Sequence, residues 1–330
     1  MTALPPWFQT EWSVHARRLE EGRVPHALLA AAPAGFGKRL LVDAVVASLL
    51  CLERRPDGHA CGRCRGCSWR LAGTHPDLLR IGIAEDATQV TVGQVRALGE
   101  RLALAPQPGG RQVAVIDPAD EMNPNAANAL LKTLEEPTPH SVLVLVADQP
   151  ARLLPTILSR CQRMAASAPH QAEALEWLIA RGVDGAAADA MLSIARGNPG
   201  EAERLAQPEA LKLARGTLTD FAAVIEGRKG VVDVAAEWAR DRPAERLAWL
   251  SQSTSLAVWS TAVRPPELLA PLAALTEGAD FNNLADWWVR LNRVRALLRT
   301  PVRTDLLIAE NLAEARRVCG ARGSVGAPRR

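Results

Sequence analysis

Tyrosine is absent and phenylalanine numbers only four, so aromatic packing falls to nine tryptophans. Lysine is scarce as well: four Lys stand against 35 Arg, a skew that the base composition of a gene produces without any functional demand. Charge of one sign is also lacking. With 39 basic and 36 acidic residues the net charge is +3, which excludes a protein that coats nucleic acid by charge alone. No run approaches the ~18 apolar residues of a membrane span. The opening MTALPPWFQTEW has no basic start followed by an apolar stretch, so no secretory signal is expected. The expectation is a cytoplasmic chain with no membrane partner. Hydrophobic residues at 48% and charged residues at 23% match ordinary globular usage, and 330 residues suit two or three domains.

In the first half, apolar runs alternate with helical patterns. Ala27–Ala32, Leu78–Ile83, Val113–Ile116 and Val142–Ala147 read as strands. Leu40, Leu41, Ala44, Val45 and Leu49 share one helix face, as do Val92, Val95, Leu98 and Leu102, and Ala127, Leu130, Leu131 and Leu134 behind Pro124. Strands apolar on both sides and separated by helices imply a parallel sheet covered on two faces. Strand signals stop near Pro169. Residues 170–206 read as two or three short helices broken at Gly182 and at Gly197-Asn198-Pro199-Gly200. Residues 208–318 read as five or six longer ones, with breaks at Gly227–Gly230, Pro243, Pro265-Pro266, Gly278 and Pro301. From Gly320 the chain is Gly, Ala and Arg, and disorder is expected there.

The first strand runs into Ala32-Pro33-Ala34-Gly35-Phe36-Gly37-Lys38-Arg39. A phosphate loop reads G-x-x-x-x-G-K-[ST] between a strand and a helix, its N–H groups cradling phosphate and its Lys neutralising it. Gly37 and Lys38 fit, and Gly35 lies inside the loop as a further candidate nucleotide-site residue. Ala32 replaces the first Gly, and Arg39 replaces the hydroxyl that would hold Mg²⁺. The third strand ends in Asp117, where such proteins hold the metal, but Pro118 stands where a catalytic Glu would follow. A strand-end carboxylate capping a loop is the alternative for Asp117. Nucleotide hydrolysis is not expected, and whether nucleotide binds stays open.

Four of the six cysteines, Cys51, Cys61, Cys64 and Cys67, fall close together with two C-x-x-C steps. Soft thiolates at that spacing suit tetrahedral Zn²⁺; an iron–sulfur centre and free buried thiols are the alternatives. His59 and His75 are spare ligands ranked below the cysteines. Arg54, Arg55, Arg63, Arg65 and Arg70 surround the cluster, as a solvated basic face, a counter-charge to thiolates or a contact for an acidic partner.

Several stretches then carry a family resemblance. They are Arg23-Val24-Pro25-His26-Ala27-Leu28-Leu29, Gly73-Thr74-His75-Pro76-Asp77, the helix from Ala126 through Leu130-Leu131-Lys132-Thr133-Leu134 to Glu135-Glu136-Pro137, and Leu154 to Ser159-Arg160-Cys161. Together they resemble the AAA+ clamp-loader subunits of bacterial DNA polymerase III, strongly over about 20–165 and weakly beyond. The degenerate loop makes the chain more similar to the delta-prime branch than to the ATP-hydrolysing gamma/tau branch. The resemblance implies an AAA+ nucleotide-fold domain over 1–168 with a zinc insert at 51–67, a helical lid over 169–207 and a helical collar over 208–330. It implies a stator working with gamma/tau and delta subunits on a sliding clamp and primed DNA. It gives Arg160 the role of a finger reaching a neighbour's ATP; an ion pair inside its own domain is the alternative. Active members carry a lid arginine where this chain has Gly200.

A working ATPase and a zinc-dependent DNA-binding protein are the rival functions. Arg39, Pro118 and Gly200 weigh against the first; the small net charge and the lack of a recognition-helix pattern near the cysteines weigh against the second. The pair Trp287-Trp288 is expected in a core or at a subunit contact, His26 in a packing role, Cys161 in an apolar site, and Arg316, Arg317, Arg322, Arg329 and Arg330 in a basic tail.

Overall fold

The structure is a computed structural model and describes residues 4–85, 87–107, 110–165, 168–259, 280–298 and 302–320. Pro265-Pro266, Gly278, Pro301 and the tail beyond Gly320, with Arg322, Arg329 and Arg330, lie outside the described residues. The chain divides into two units, Met1–Trp177 with Asn198–Gly200, and Leu178–Gly197 with Glu201–Arg330.

In the first unit, five strands form one sheet: β1 (Ala27–Ala31), β2 (Leu78–Ile81), β3 (Gln112–Ile116), β4 (Ser141–Ala147) and β5 (Gln162–Met164). The order is β2-β3-β4-β1-β5 and every pairing is parallel, with Ala27 opposite Leu143 and Val113 opposite both Leu78 and Val142. Alternation splits the apolar strands into two cores. Leu29, Ala114, Ile116, Leu143 and Leu145 face α4 (Val92–Leu102) and α5 (Pro124–Glu135). Leu28, Ala30, Val113, Val115, Val144 and Val146 face α1 (Gln9–Glu20) and α2 (Lys38–Leu50). Both faces are dry, which is why these strands read as continuous apolar runs.

Local chemistry sets the helix starts. Gly37 adopts φ +83° before Lys38 opens α2, a conformation that costs a residue with a Cβ. Thr91 and Gln94 form a capping box on α4. The Asn123 side chain accepts from Ala126 N, with Pro124 at the first helical position of α5. α1 and β5 are among the elements that were not evident from the sequence. α1 buries Trp12, His15 and Leu19, and β5 has two exposed residues in its three.

His15 is sealed under α1. Its Nε2 lies 2.8 Å from Ser48 Oγ, and the Ser48 hydroxyl donates to Val45 O at 2.7 Å, so Oγ accepts from the imidazole and this pair is no nucleophile. Burial first, then the Arg18 and Arg54 charges, push the His15 pKa down to about 4. The folded chain therefore binds fewer protons than the unfolded one between about pH 6.5 and 4. Stability from this group is full above about 6.5 and falls by about 3 kcal/mol as pH drops to about 4. Denaturant titrations at pH 7 and 4.5 should show that loss, and His15→Gln should flatten the pH dependence by most of it.

The second unit is helical: α8 (Gly185–Ile194), α10 (Pro208–Ile225), α11 (Val231–Arg240), α12 (Pro243–Trp259), α13 (Phe281–Leu297) and α14 (Thr304–Gly320) lie within it, while α7 (Gln171–Ala180) and α9 (Pro199–Leu205) run across its boundaries. Trp238, Trp249, Trp287 and Phe221 are fully buried, and Phe221 stacks on Trp287 at 5.6 Å. Trp287 Nε1 donates to Asn311 and Trp288 Nε1 to Ser251 O, so both indoles of that pair are engaged inside the unit. No described helix is long and apolar enough to cross a membrane.

Candidate functional site

The phosphate loop leaves β1, turns through Gly35 (φ +90°) and Gly37, and enters α2. Its carbonyls are held from outside. Trp7 Nε1 donates to Phe36 O at 3.0 Å, Asn198 Nδ2 to Ala34 O at 2.7 Å, and Gly200 N to Gly35 O at 2.9 Å. A Cβ on Gly200 would sit 2.5 Å from Gly35 O and 2.9 Å from its Cα. The backbones meet too closely at Gly200 for any side chain.

The mouth of the loop is filled by its own charges. Lys38 is buried and its Nζ is paired with Asp148 Oδ1. Arg39 forks onto Asp117, Nε to Oδ2 and Nη2 to Oδ1, both at 2.8 Å, and reaches Asp148 at 3.2–3.3 Å. The Asp117 hydrogen bond holds the Arg39 guanidinium well above its usual pKa. Burial would raise the Asp148 carboxyl, but the hydrogen bonds from Lys38 and Arg39 outweigh it and hold the group below the ordinary carboxylate range. Two cations and two anions thus satisfy one another. Mg-nucleotide does not fit this arrangement. Its metal would need the carboxylate that Arg39 grips, and its phosphates would have to take Lys38 from Asp148 and lie against two carboxylates.

Asp148 escaped the sequence reading. The available signal was a carboxylate straight after the apolar run of β4, as Asp117 follows β3. Asp120 and Glu121 turn elsewhere: Asp120 accepts from Asp148 N and Gln149 N, and Glu121 pairs with Arg152. His26 is exposed before β1 and does not pack, unlike the role expected of it.

The four cysteines converge between α2 and α3 (Arg65–Leu71), their Sγ atoms all within 4.8 Å of one another. Cys51 lies 3.8 Å from Cys64, and Cys61 3.9 Å from Cys67. These are far beyond a disulfide bond and close to the ~3.8 Å edge of a tetrahedron with ~2.3 Å metal–sulfur bonds. Backbone N–H groups of Cys61, Cys64 and Cys67 point at Cys51, Cys61 and Cys64 Sγ at 3.2–3.5 Å, a shell that favours thiolates. Burial pushes the Cys67 thiol up, while at Cys64 burial is outweighed by hydrogen bonds from the Cys67 and Leu52 N–H groups and from the neighbouring thiols, which bring it down to about 6. The donor set fits a tetrahedral thiophilic metal. The histidines stand aside: His59 stacks on Trp12 at 3.9 Å, and His75 Nδ1 accepts from Asp77 N. α1 braces this insert, since Trp12 Nε1 donates to Asp57 O at 3.0 Å and Gly58 passes so near Ala16 that a Cβ would meet its Cβ at 2.8 Å.

Arg160 stands apart from both sites. After α6 (Pro155–Leu158) its Nη1 donates to Thr156 O and its Nη2 pairs with Glu135 at 2.8 Å, both side chains partly exposed. Cys161 is buried in the α4/α5 core.

A family model described as "DNA polymerase III, delta subunit" matches residues 9–169. The chain is 42% identical over 232 residues to the DNA polymerase III subunit delta' of Pseudomonas aeruginosa, covering 69% of this chain and 67% of that one. It is 35% identical over 250 residues to the subunit delta' of Escherichia coli K12, covering 74% and 73%. Its likeness to the subunit tau of Bacillus subtilis, 32% over 145 residues, covers 44% of this chain and 25% of that one.

Proposed function

The chain belongs to the DNA polymerase III delta-prime family, and on that premise we propose that it is a non-hydrolysing stator subunit of the clamp loader. The observation that carries this reading is Arg39 gripping Asp117. A guanidinium holds the carboxylate where a catalytic Mg²⁺ would sit, so the subunit contributes to ATP chemistry only from outside, through Arg160 on a neighbour's nucleotide. Residues 1–168 act as the AAA+ body, 169–207 as a lid with no nucleotide to sense, and 208–330 as the collar that joins gamma/tau and delta subunits. The sliding clamp and primed DNA are met through that assembly, in the cytoplasm. The cysteines hold one structural Zn²⁺, which ties the insert to α2 and α3.

Turnover by the isolated chain tests the reading against a working ATPase. Hydrolysis should equal the background of a Lys38→Ala variant. Arg39→Thr should not raise it, because Asp148 still faces the loop and Pro118 still lacks a base. Turnover well above background that Lys38→Ala abolishes would overturn the proposal.

A further inference from the structure

The phosphate loop, Asp117 and Asp148 all lie where strands end. A second site lies where they begin. His75 and Asp77 precede β2, Arg111 precedes β3 and His140 precedes β4, and with the end of α2 and the face of α3 they line a cavity of about 730 Å³. Ligand pockets commonly measure about 300–1,000 Å³.

Its charge is one-sided. Arg54, Arg65 and Arg111 line it, and among the described residues none is paired with a carboxylate. Asp77 is its one acidic wall, and it is buried with both oxygens accepting from Gln107 N. Arg65 is already placed, its guanidinium 4.1 Å above the Trp69 ring. Because His75 Nδ1 accepts from Asp77 N, the neutral ring carries its proton on Nε2, which lies on the side of Gly66, another wall of the cavity. Arg54 is partly spent on the last carbonyls of α2, Ser48 O and Cys51 O. Leu49, Leu50 and Pro106 supply apolar wall beside the cations.

We propose that this cavity binds a phosphorylated small molecule, its phosphates on Arg111, Arg65 and His75 and any organic part against Leu49, Leu50 and Pro106. Guanidinium forks suit phosphate oxygens, and a site at the opposite ends of the strands works independently of the phosphate loop.

Calorimetry on the full zinc-loaded chain, with inorganic triphosphate and with ATP as probes, tests it. Saturable binding of at least one probe is expected. Arg111→Gln should weaken it about tenfold, and Arg65→Gln in addition about tenfold more; Lys38→Ala should leave it unchanged. Among the described residues Arg111 supports no ion pair, so Arg111→Gln alone decides the matter if Arg65→Gln disturbs the insert. ATP binding more tightly than triphosphate assigns a nucleotide; equal affinity assigns the phosphate chain alone. The proposal is overturned if neither probe saturates, if binding follows Lys38 rather than Arg111, or if only single-stranded DNA responds to Arg111→Gln.

Discussion

Arg160→Ala in the reconstituted clamp loader should leave assembly intact while clamp loading and DNA-stimulated ATPase fall. The transition state of phosphoryl transfer spreads charge over the γ-phosphoryl oxygens, and a planar cation with several donors stabilises it better than Lys could. Fingers supplied in trans are worth ~10³–10⁵ in rate. On the proposed function the site that Arg160 serves should therefore be silenced, and the ATPase of the complex should fall. The pair with Glu135 does not argue otherwise. Both groups are partly exposed, and such pairs are worth about 0–1 kcal/mol, little enough for a neighbour's phosphates to outbid the carboxylate. For the same reason the variant should melt within a degree or two of wild type. A complex that assembles and turns over normally with Arg160→Ala would make the residue structural and remove the finger from the proposed function.

Metal loss should have the other large effect. Protein purified without chelator should contain one zinc per chain, and Cys64→Ser should lose it. Structural zinc bound by short thiolate-rich segments contributes ~10–16 kcal/mol of coupled folding free energy at neutral pH, comparable to a typical domain's whole stability. Amide protection should collapse across residues 51–71 and weaken in α1, which the insert touches through Trp12 and Gly58. The sheet should survive, because its two cores draw no residue from the cysteine cluster. A zinc-free chain with full protection of the insert would refute the metal assignment.

Spacing and periodicity exposed some features and hid others. Strands β1, β3 and β4 were legible because both faces are buried, and the cysteines because two C-x-x-C steps have few other uses. β5 stayed hidden because an edge strand of three residues with two exposed has no apolar run. The α1 helix was missed because its buried stripe is Trp12, His15 and Leu19, a sparse one with a histidine in it. At the loop, the missing hydroxyl and the missing base could be read residue by residue. What replaced them could not: that Arg39 reaches Asp117 and Asp148, 78 and 109 positions away, depends on how strand ends are brought together. Gly200 is the instructive case. As a letter it is an absent arginine; in three dimensions it is a backbone donor to Gly35 with no space for a side chain.

The strand order also governs how the chain must be made. β1 is interior and pairs with β4, Ala27 with Leu143, so its main partner leaves the ribosome about 115 residues later, on the order of ten seconds at ~5–20 residues per second. During that interval Leu28, Leu29 and Ala30, fully buried at the end, have no sheet to join. The cysteines emerge well before β4, and a metal held there as proposed would anchor α2 and α3 while the nascent sheet is still incomplete. A chain starved of zinc during synthesis would lack that anchor in the interval when its central strand is most open to aggregation.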